Sequence, residues 1–99
     1  MKTKYTNTIT DLLTFKSGAV AYKLWGGKAI TSMGDGVKFR VTNSKSVDYV
    51  YVRYLSGSEL FEVEFGALVN TDYDVLDRIS PVNVAELIPT ISKRLFSIQ

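Results

Sequence analysis

Val47-Asp48-Tyr49-Val50-Tyr51-Val52-Arg53-Tyr54-Leu55 runs into Ser56-Gly57-Ser58-Glu59, and the chain continues as Leu60-Phe61-Glu62-Val63-Glu64-Phe65. Two alternating runs around a turn-forming segment predict a β-hairpin. Placing Leu55 opposite Leu60 sets Tyr54 against Phe61, Val52 against Val63 and Val50 against Phe65. That register makes one coherent apolar face. It also puts Arg53 opposite Glu62 and Tyr51 opposite Glu64 on the other face, and cross-strand pairs of this kind stabilise sheets.

The pattern extends on the N-terminal side. Val37-Lys38-Phe39-Arg40-Val41 reads as a strand, joined to the hairpin through Asn43-Ser44-Lys45-Ser46. With Thr42 opposite Val47, Phe39 meets Val50 and Val37 meets Val52, so three apolar faces agree. Lys38 then lies opposite Tyr51, and Arg40 opposite Tyr49, on the polar face. Further back, Met33-Gly34-Asp35-Gly36 is a turn and Ala29 to Ser32 a short strand. Ala19 to Trp25 alternates loosely as a strand, with Val20, Tyr22 and Leu24 facing one way and Lys23 and Trp25 the other. Gly26-Gly27 ends that run. Thr6 to Lys16 predicts a short helix capped by Asn7 or Thr8, with Ile9, Leu12 and Leu13 as its apolar stripe, extended by Phe15.

On the C-terminal side, Gly66 marks a bulge or bend, Asn70-Thr71-Asp72 a turn, and Tyr73 to Ile79 a last short strand. A final helix begins at Ser80-Pro81 or at Asn83, and Asn83 followed by Glu86 resembles a capping box. Val84, Leu87, Ile88, Ile91 and Leu95 recur at helical spacing, as a face that lies on a sheet requires. Pro89 inside that pattern removes a hydrogen bond and predicts a kink or restart near Ile88. The expected fold is α+β. A short N-terminal helix, a four- to five-stranded antiparallel sheet and a C-terminal helix form two layers, with both helices on the apolar sheet face.

The 99 residues are expected to form one domain spanning 1–99. Hydrophobic content of 45% with 22% charged residues is a globular composition rather than a disordered one. No apolar run approaches the roughly 18 residues of a membrane span. The segment Met1-Lys2-Thr3-Lys4-Tyr5-Thr6-Asn7-Thr8 lacks the apolar stretch of a signal peptide. An intracellular protein without membrane contact is expected. Absence of Cys removes disulfides and thiolate metal sites and suits a reducing compartment.

Catalysis has little to stand on. With neither His nor Cys, the commonest acid–base and thiol nucleophile roles are empty. No catalytic residue, metal site or cofactor is assigned. Asp72, Asp74 and Asp77 could gather around a hard cation, but three acids near a turn are more often solvated loop chemistry. Gly26-Gly27-Lys28 could offer amides and an ammonium to a phosphate, although a lone Gly-Gly-Lys is more often a turn.

The charge is more telling. Residues 1–55 carry nine Lys or Arg against three acids, a net of +6, and residues 56–99 carry three against seven, a net of −4. Either the chain has a basic face for an anionic partner, or adjacent basic and acidic strands pair internally. The polar sheet face interleaves Lys38, Arg40 and Arg53 with Tyr49 and Tyr51, and Trp25 and Lys23 could join it. Aromatic rings and cations on an open sheet can hold single-stranded nucleic acid. The same residue types anchor protein interfaces, and Glu62 and Glu64 on that face repel phosphates.

Taken in order, Ser17-Gly18, Leu24-Trp25-Gly26-Gly27-Lys28-Ala29-Ile30, Val37-Lys38-Phe39-Arg40-Val41, Tyr49-Val50-Tyr51-Val52-Arg53 and Leu60-Phe61-Glu62-Val63-Glu64-Phe65-Gly66 stand before a helix after Pro81. This series, over about residues 8–98, resembles a family of small uncharacterised proteins of tailed bacteriophages and prophages. Trp25-Gly26-Gly27-Lys28-Ala29 stands where that family has a Thr-Gly-Ala-Lys-Asn-like segment. The resemblance implies a phage setting, and with it the host cytoplasm. The expected role is a non-enzymatic module that binds a host or phage protein through Trp25, Lys28, Lys38, Arg40, Tyr49, Tyr51 and Arg53. Nucleic-acid binding through Lys38, Arg40, Arg53 and the tyrosines is the second reading, and a structural homo-oligomer the third.

Overall fold

The computed structural model describes residues 9–13, 18–55, 57 and 59–96. Residues 9–13 are helical (α1), followed by helix α2 (Ala19–Leu24) and five strands. The strands are β1 (Lys28–Ser32), β2 (Gly36–Arg40), β3 (Tyr49–Leu55), β4 (Leu60–Val69) and β5 (Asp72–Val82). A 3-10 turn (Val84–Glu86) leads into helix α3 (Leu87–Leu95). The strands form one antiparallel meander in the order β1-β2-β3-β4-β5. No helix among the described residues is long and apolar enough to cross a membrane.

The central registers follow the hydrophobic pattern. Val37 pairs with Val52 and Phe39 with Val50, while Val52 pairs with Val63 and Val50 with Phe65. A one-residue slip would expose every one of these side chains. Their face is buried together with Ile9 and Leu13 of α1 and Leu87, Ile91 and Leu95 of α3. The N-terminal cap expected at Asn7 or Thr8, and Phe15, lie outside the described residues.

Ala19–Leu24 is a helix, not the strand its alternation predicts. Ala, Leu and Lys are strong helix formers, and the alternation disguised a helical face. Val20 and Leu24, four apart, point to solvent at 71% and 63% exposure, while Ala21, Tyr22 and Trp25 turn inward. Gly26-Gly27 closes this helix. The Gly26 amide donates to the Lys23 carbonyl and the Gly27 amide to the Tyr22 carbonyl, both at 3.0 Å. That is a Schellman arrangement, and Gly26 supplies the left-handed residue it needs, with φ of 71°.

β5 is longer than Tyr73 to Ile79, running eleven residues. Ser80 and Pro81 belong to it rather than to a helix start. Asn83 is the cap, its Oδ1 accepting from the Glu86 amide at 3.0 Å. Pro89 causes no mid-helix break because α3 restarts at Leu87. Pro89 therefore sits in the first turn, where its missing N–H would have had no intrahelical partner.

Candidate functional site

Alternation along the strands places Lys38 and Arg40 of β2, Tyr49, Tyr51 and Arg53 of β3, Glu62 and Glu64 of β4 and Arg78 of β5 on the sheet face opposite the helices. Lys38 pairs with Tyr51, Arg40 with Tyr49, Tyr51 with Glu64, Arg53 with Glu62 and Glu64 with Arg78. The first four of these pairs are the ones the sequence predicts.

Glu64 is the hub. Its residue is only 6% exposed, yet three donors converge on its carboxylate. The Tyr49 hydroxyl donates to Oε2 at 3.0 Å, and Arg53 Nη2 and Arg78 Nε reach Oε1 at 3.3 and 3.2 Å. Burial resists ionisation, but the Tyr49 hydrogen bond and the guanidinium groups outweigh it and hold the Glu64 carboxyl below its ordinary range. The same contact acts oppositely on the phenol. Burial first, then the Glu64 carboxylate, push Tyr49 up to about 12.

Arg53 is committed several times over. Nη1 donates to Glu62 at 2.7 Å, Nε lies 3.5 Å from Asp35, and the guanidinium stands 4.1 Å from the Tyr51 ring centroid. The Tyr51 hydroxyl in turn donates to Asp35. Asp35 comes from the turn between β1 and β2, so the Gly-Asp-Gly sequence also anchors this network.

Tyr73 of β5 packs edge-on against Tyr49, with ring centroids 5.1 Å apart. Lys38 Nζ contacts both rings, 4.5 Å from Tyr49 and 4.6 Å from Tyr73. The cation and the two rings satisfy one another. Gly66 makes room for this. A Cβ there would collide with Cε2, Cζ and the hydroxyl of Tyr49. The β4–β5 register also shifts between Phe65 and Gly66.

The sequence-predicted site residues separate into three groups. Lys38, Tyr49, Tyr51 and Arg53 come together on the polar face, although Tyr49 is only 3% exposed and meets solvent little. Arg40 and Lys28 are exposed and in register with each other across β2 and β1. Among the described residues no carboxylate lies within salt-bridge distance of Lys28, Lys38 or Arg40. Trp25 is a correction. It is 1% exposed, stacked at 8° on Phe39, and its indole N–H donates to Ser92 Oγ at 3.0 Å. The helical path of α2 turns its ring into the core, so it is not a surface contact.

Neither of two unassigned possibilities, phosphate contact at Gly26-Gly27-Lys28 or a cation among Asp72, Asp74 and Asp77, finds a matching geometry. The Gly26 and Gly27 amides are spent on the helix end, which leaves no amide cradle for a phosphate. Asp77 pairs with Arg94 at 3.3 Å, and Asp72 and Asp74 are exposed on the β4–β5 ribbon. Among the described residues no group of three or more acids, His or Cys is placed to hold a metal ion. Sequence reasoning missed Tyr73, Arg78 and Asp35 as members of the face. For Tyr73 the signal was present, because its place in the ribbon follows from the Asn70-Thr71 turn. Comparison with known protein families, curated proteins and solved structures found no match.

Proposed function

We propose that the chain is a small non-enzymatic module that binds a protein partner through its polar sheet face. The observation that carries this reading is the closed ion network of Arg53 and Arg78 with Glu62, Glu64 and Asp35. These guanidinium groups are already neutralised, and a phosphate backbone would have to displace carboxylates from them. The adjoining surface is aromatic and aliphatic instead. Leu68 and Tyr73 are 40% and 51% exposed, and Val75 is 44% exposed. Tyrosine, arginine and apolar side chains grouped around satisfied charges match the anatomy of protein interfaces. A phage setting, a host-protein partner and the host cytoplasm are part of the proposal and are supported by the sequence resemblance alone.

The test is affinity capture from host lysate, with the wild-type protein run beside Tyr51→Ala and Tyr73→Ala. One protein retained by the wild type and lost with both variants supports the proposal. Identical capture by all three folded proteins refutes it.

One observation favours the nucleic-acid reading: Lys28 and Arg40 stand side by side without carboxylate partners among the described residues. On that reading single-stranded nucleic acid would follow the β1–β2 side, and binding would fall steeply with salt.

A further inference from the structure

A second surface lies along the outer edge of β5 and borders the polar face at Tyr73, Val75 and Arg78. Among the described residues β5 is the last strand of the sheet, and no strand pairs with its outer side. An unpaired edge presents a row of N–H and C=O groups ready to join another strand. This edge is eleven residues long, while β1 at the opposite edge has five and is interrupted by a register shift, with Ala29 at φ of 60°. β5 carries Pro81 and two register shifts of its own, and the Arg78 amide already donates to Asp77 Oδ1 at 2.9 Å, so its regular open edge is residues 72–75.

Two further features sit on the same strand. β3 ends its pairing with β4 at Tyr49 opposite Gly66, so residues 67–69 and 72–74 continue past it as a two-stranded ribbon. Such a ribbon is marginal on its own, and this one exposes Leu68, Val69 and Tyr73, with Val75 and Leu76 exposed beside it. Toward its other end, β5 faces α3 across an open cleft of about 340 Å³. Ile79, Pro81, Val82 and Pro89 give it apolar walls, with Glu86 and Lys93 also lining it.

Charge selects the occupant. β5 carries Asp72, Asp74 and Asp77, and only Asp77 has a cation within reach among the described residues, Arg94. Arg78, the one base on the strand, is committed to Glu64 at 3.2 Å. A second copy adding antiparallel would bring two sets of these aspartates to one seam. A strand bearing Lys or Arg would meet Asp72 and Asp74 with complementary charge. We propose that β5 and the cleft beside α3 bind a basic, extended peptide by strand addition. Backbone hydrogen bonds to β5 supply affinity, Asp72 and Asp74 engage its cations, and its apolar side chains enter the cleft.

The experiment is selection of a random dodecapeptide display library on the full chain, followed by NMR mapping of the enriched peptides. Enrichment of sequences alternating apolar residues with Lys or Arg supports the proposal. The bound peptide should then shift and protect amides within residues 72–75 and shift Val82 and Thr90. Asp74→Lys, a change at an exposed position, should weaken the peptide by about tenfold. N-methylation of alternate peptide amides should abolish binding without touching the protein. The proposal is overturned by acidic or non-alternating winners, by no enrichment, or by β5 amides already protected through self-association. Shifts confined to Tyr51, Arg53 and Arg40 overturn it as well while leaving the face reading intact, so the two can fail separately.

Discussion

Gly66→Ala tests the architecture of the polar face at one atom. The new methyl would occupy the space held by Tyr49 Cε2, Cζ and hydroxyl, so the ring must leave its buried position. Gly66 has an ordinary negative φ, so Ala meets no backbone penalty there and the effect is steric. Overpacking of this kind costs about 1–3 kcal/mol. Expelling the ring also breaks the 3.0 Å bond from the Tyr49 hydroxyl to Glu64, and a hydrogen bond to a charged group contributes about 1.5–3 kcal/mol. Replacing Gly by Ala in a strand returns about 0.5–1 kcal/mol. The expected net loss is about 2–5 kcal/mol, a large share of the 5–15 kcal/mol of a typical domain. Urea unfolding followed by Trp25 fluorescence is a suitable assay, because the single Trp is buried against Phe39. In a Tyr49→Ala background the obstruction is gone, and Gly66→Ala should then cost less than about 0.5 kcal/mol. A neutral Gly66→Ala, or an equal cost in both backgrounds, would refute the claim that Gly66 exists to seat Tyr49.

Three further outcomes are expected. Stability should fall at both pH extremes: Glu64 titrates lower when folded, so its contribution is present above about pH 4.3 and is lost as pH falls through its folded value. Tyr49 titrates higher when folded, so its contribution is full below pH 10.0 and is lost as pH rises toward about 12. Tyr49→Phe should shrink the alkaline loss in urea titrations to the part carried by Tyr22 and Tyr51, which burial also pushes up, and an unchanged alkaline limb would contradict the assignment. Trp25→Ala should destabilise by about 3–5 kcal/mol, measured by circular dichroism, whereas a near-neutral effect would place the indole outside the core. Pro89→Ala should change stability by less than about 1 kcal/mol, because the first turn of α3 lacks the bond that proline removes; a gain near 3 kcal/mol would mean an interior position.

The three central strands were legible because period-2 alternation admits one register that buries Val37, Phe39, Val50, Val52, Val63 and Phe65 together. Ala19–Leu24 was not, because over six residues an exposed i, i+4 pair such as Val20 and Leu24 also looks like alternation. Trp25 was misplaced for the same reason. The full length of β5 was hidden by its exposed, acidic composition and by Pro81, which resembles a helix start. On the polar face, pairing across strands revealed Arg53 with Glu62 but not the convergence on Glu64. Arg78 reaches Glu64 only through a strand whose register shifts twice, between Phe61 and Val63 and between Phe65 and Gly66. Asp35 arrives from a turn, where periodicity carries no information.

Arg53 and Arg78 of the polar face are paired with carboxylates, and the proposed partner is therefore a protein rather than a phosphate backbone. Fluorescence anisotropy of labelled single- and double-stranded DNA and RNA, at low and near-physiological salt, tests this most directly. No saturable binding is expected, even at low salt. Saturable binding that falls steeply with salt and is lost on Lys38→Ala or Arg40→Ala would contradict it.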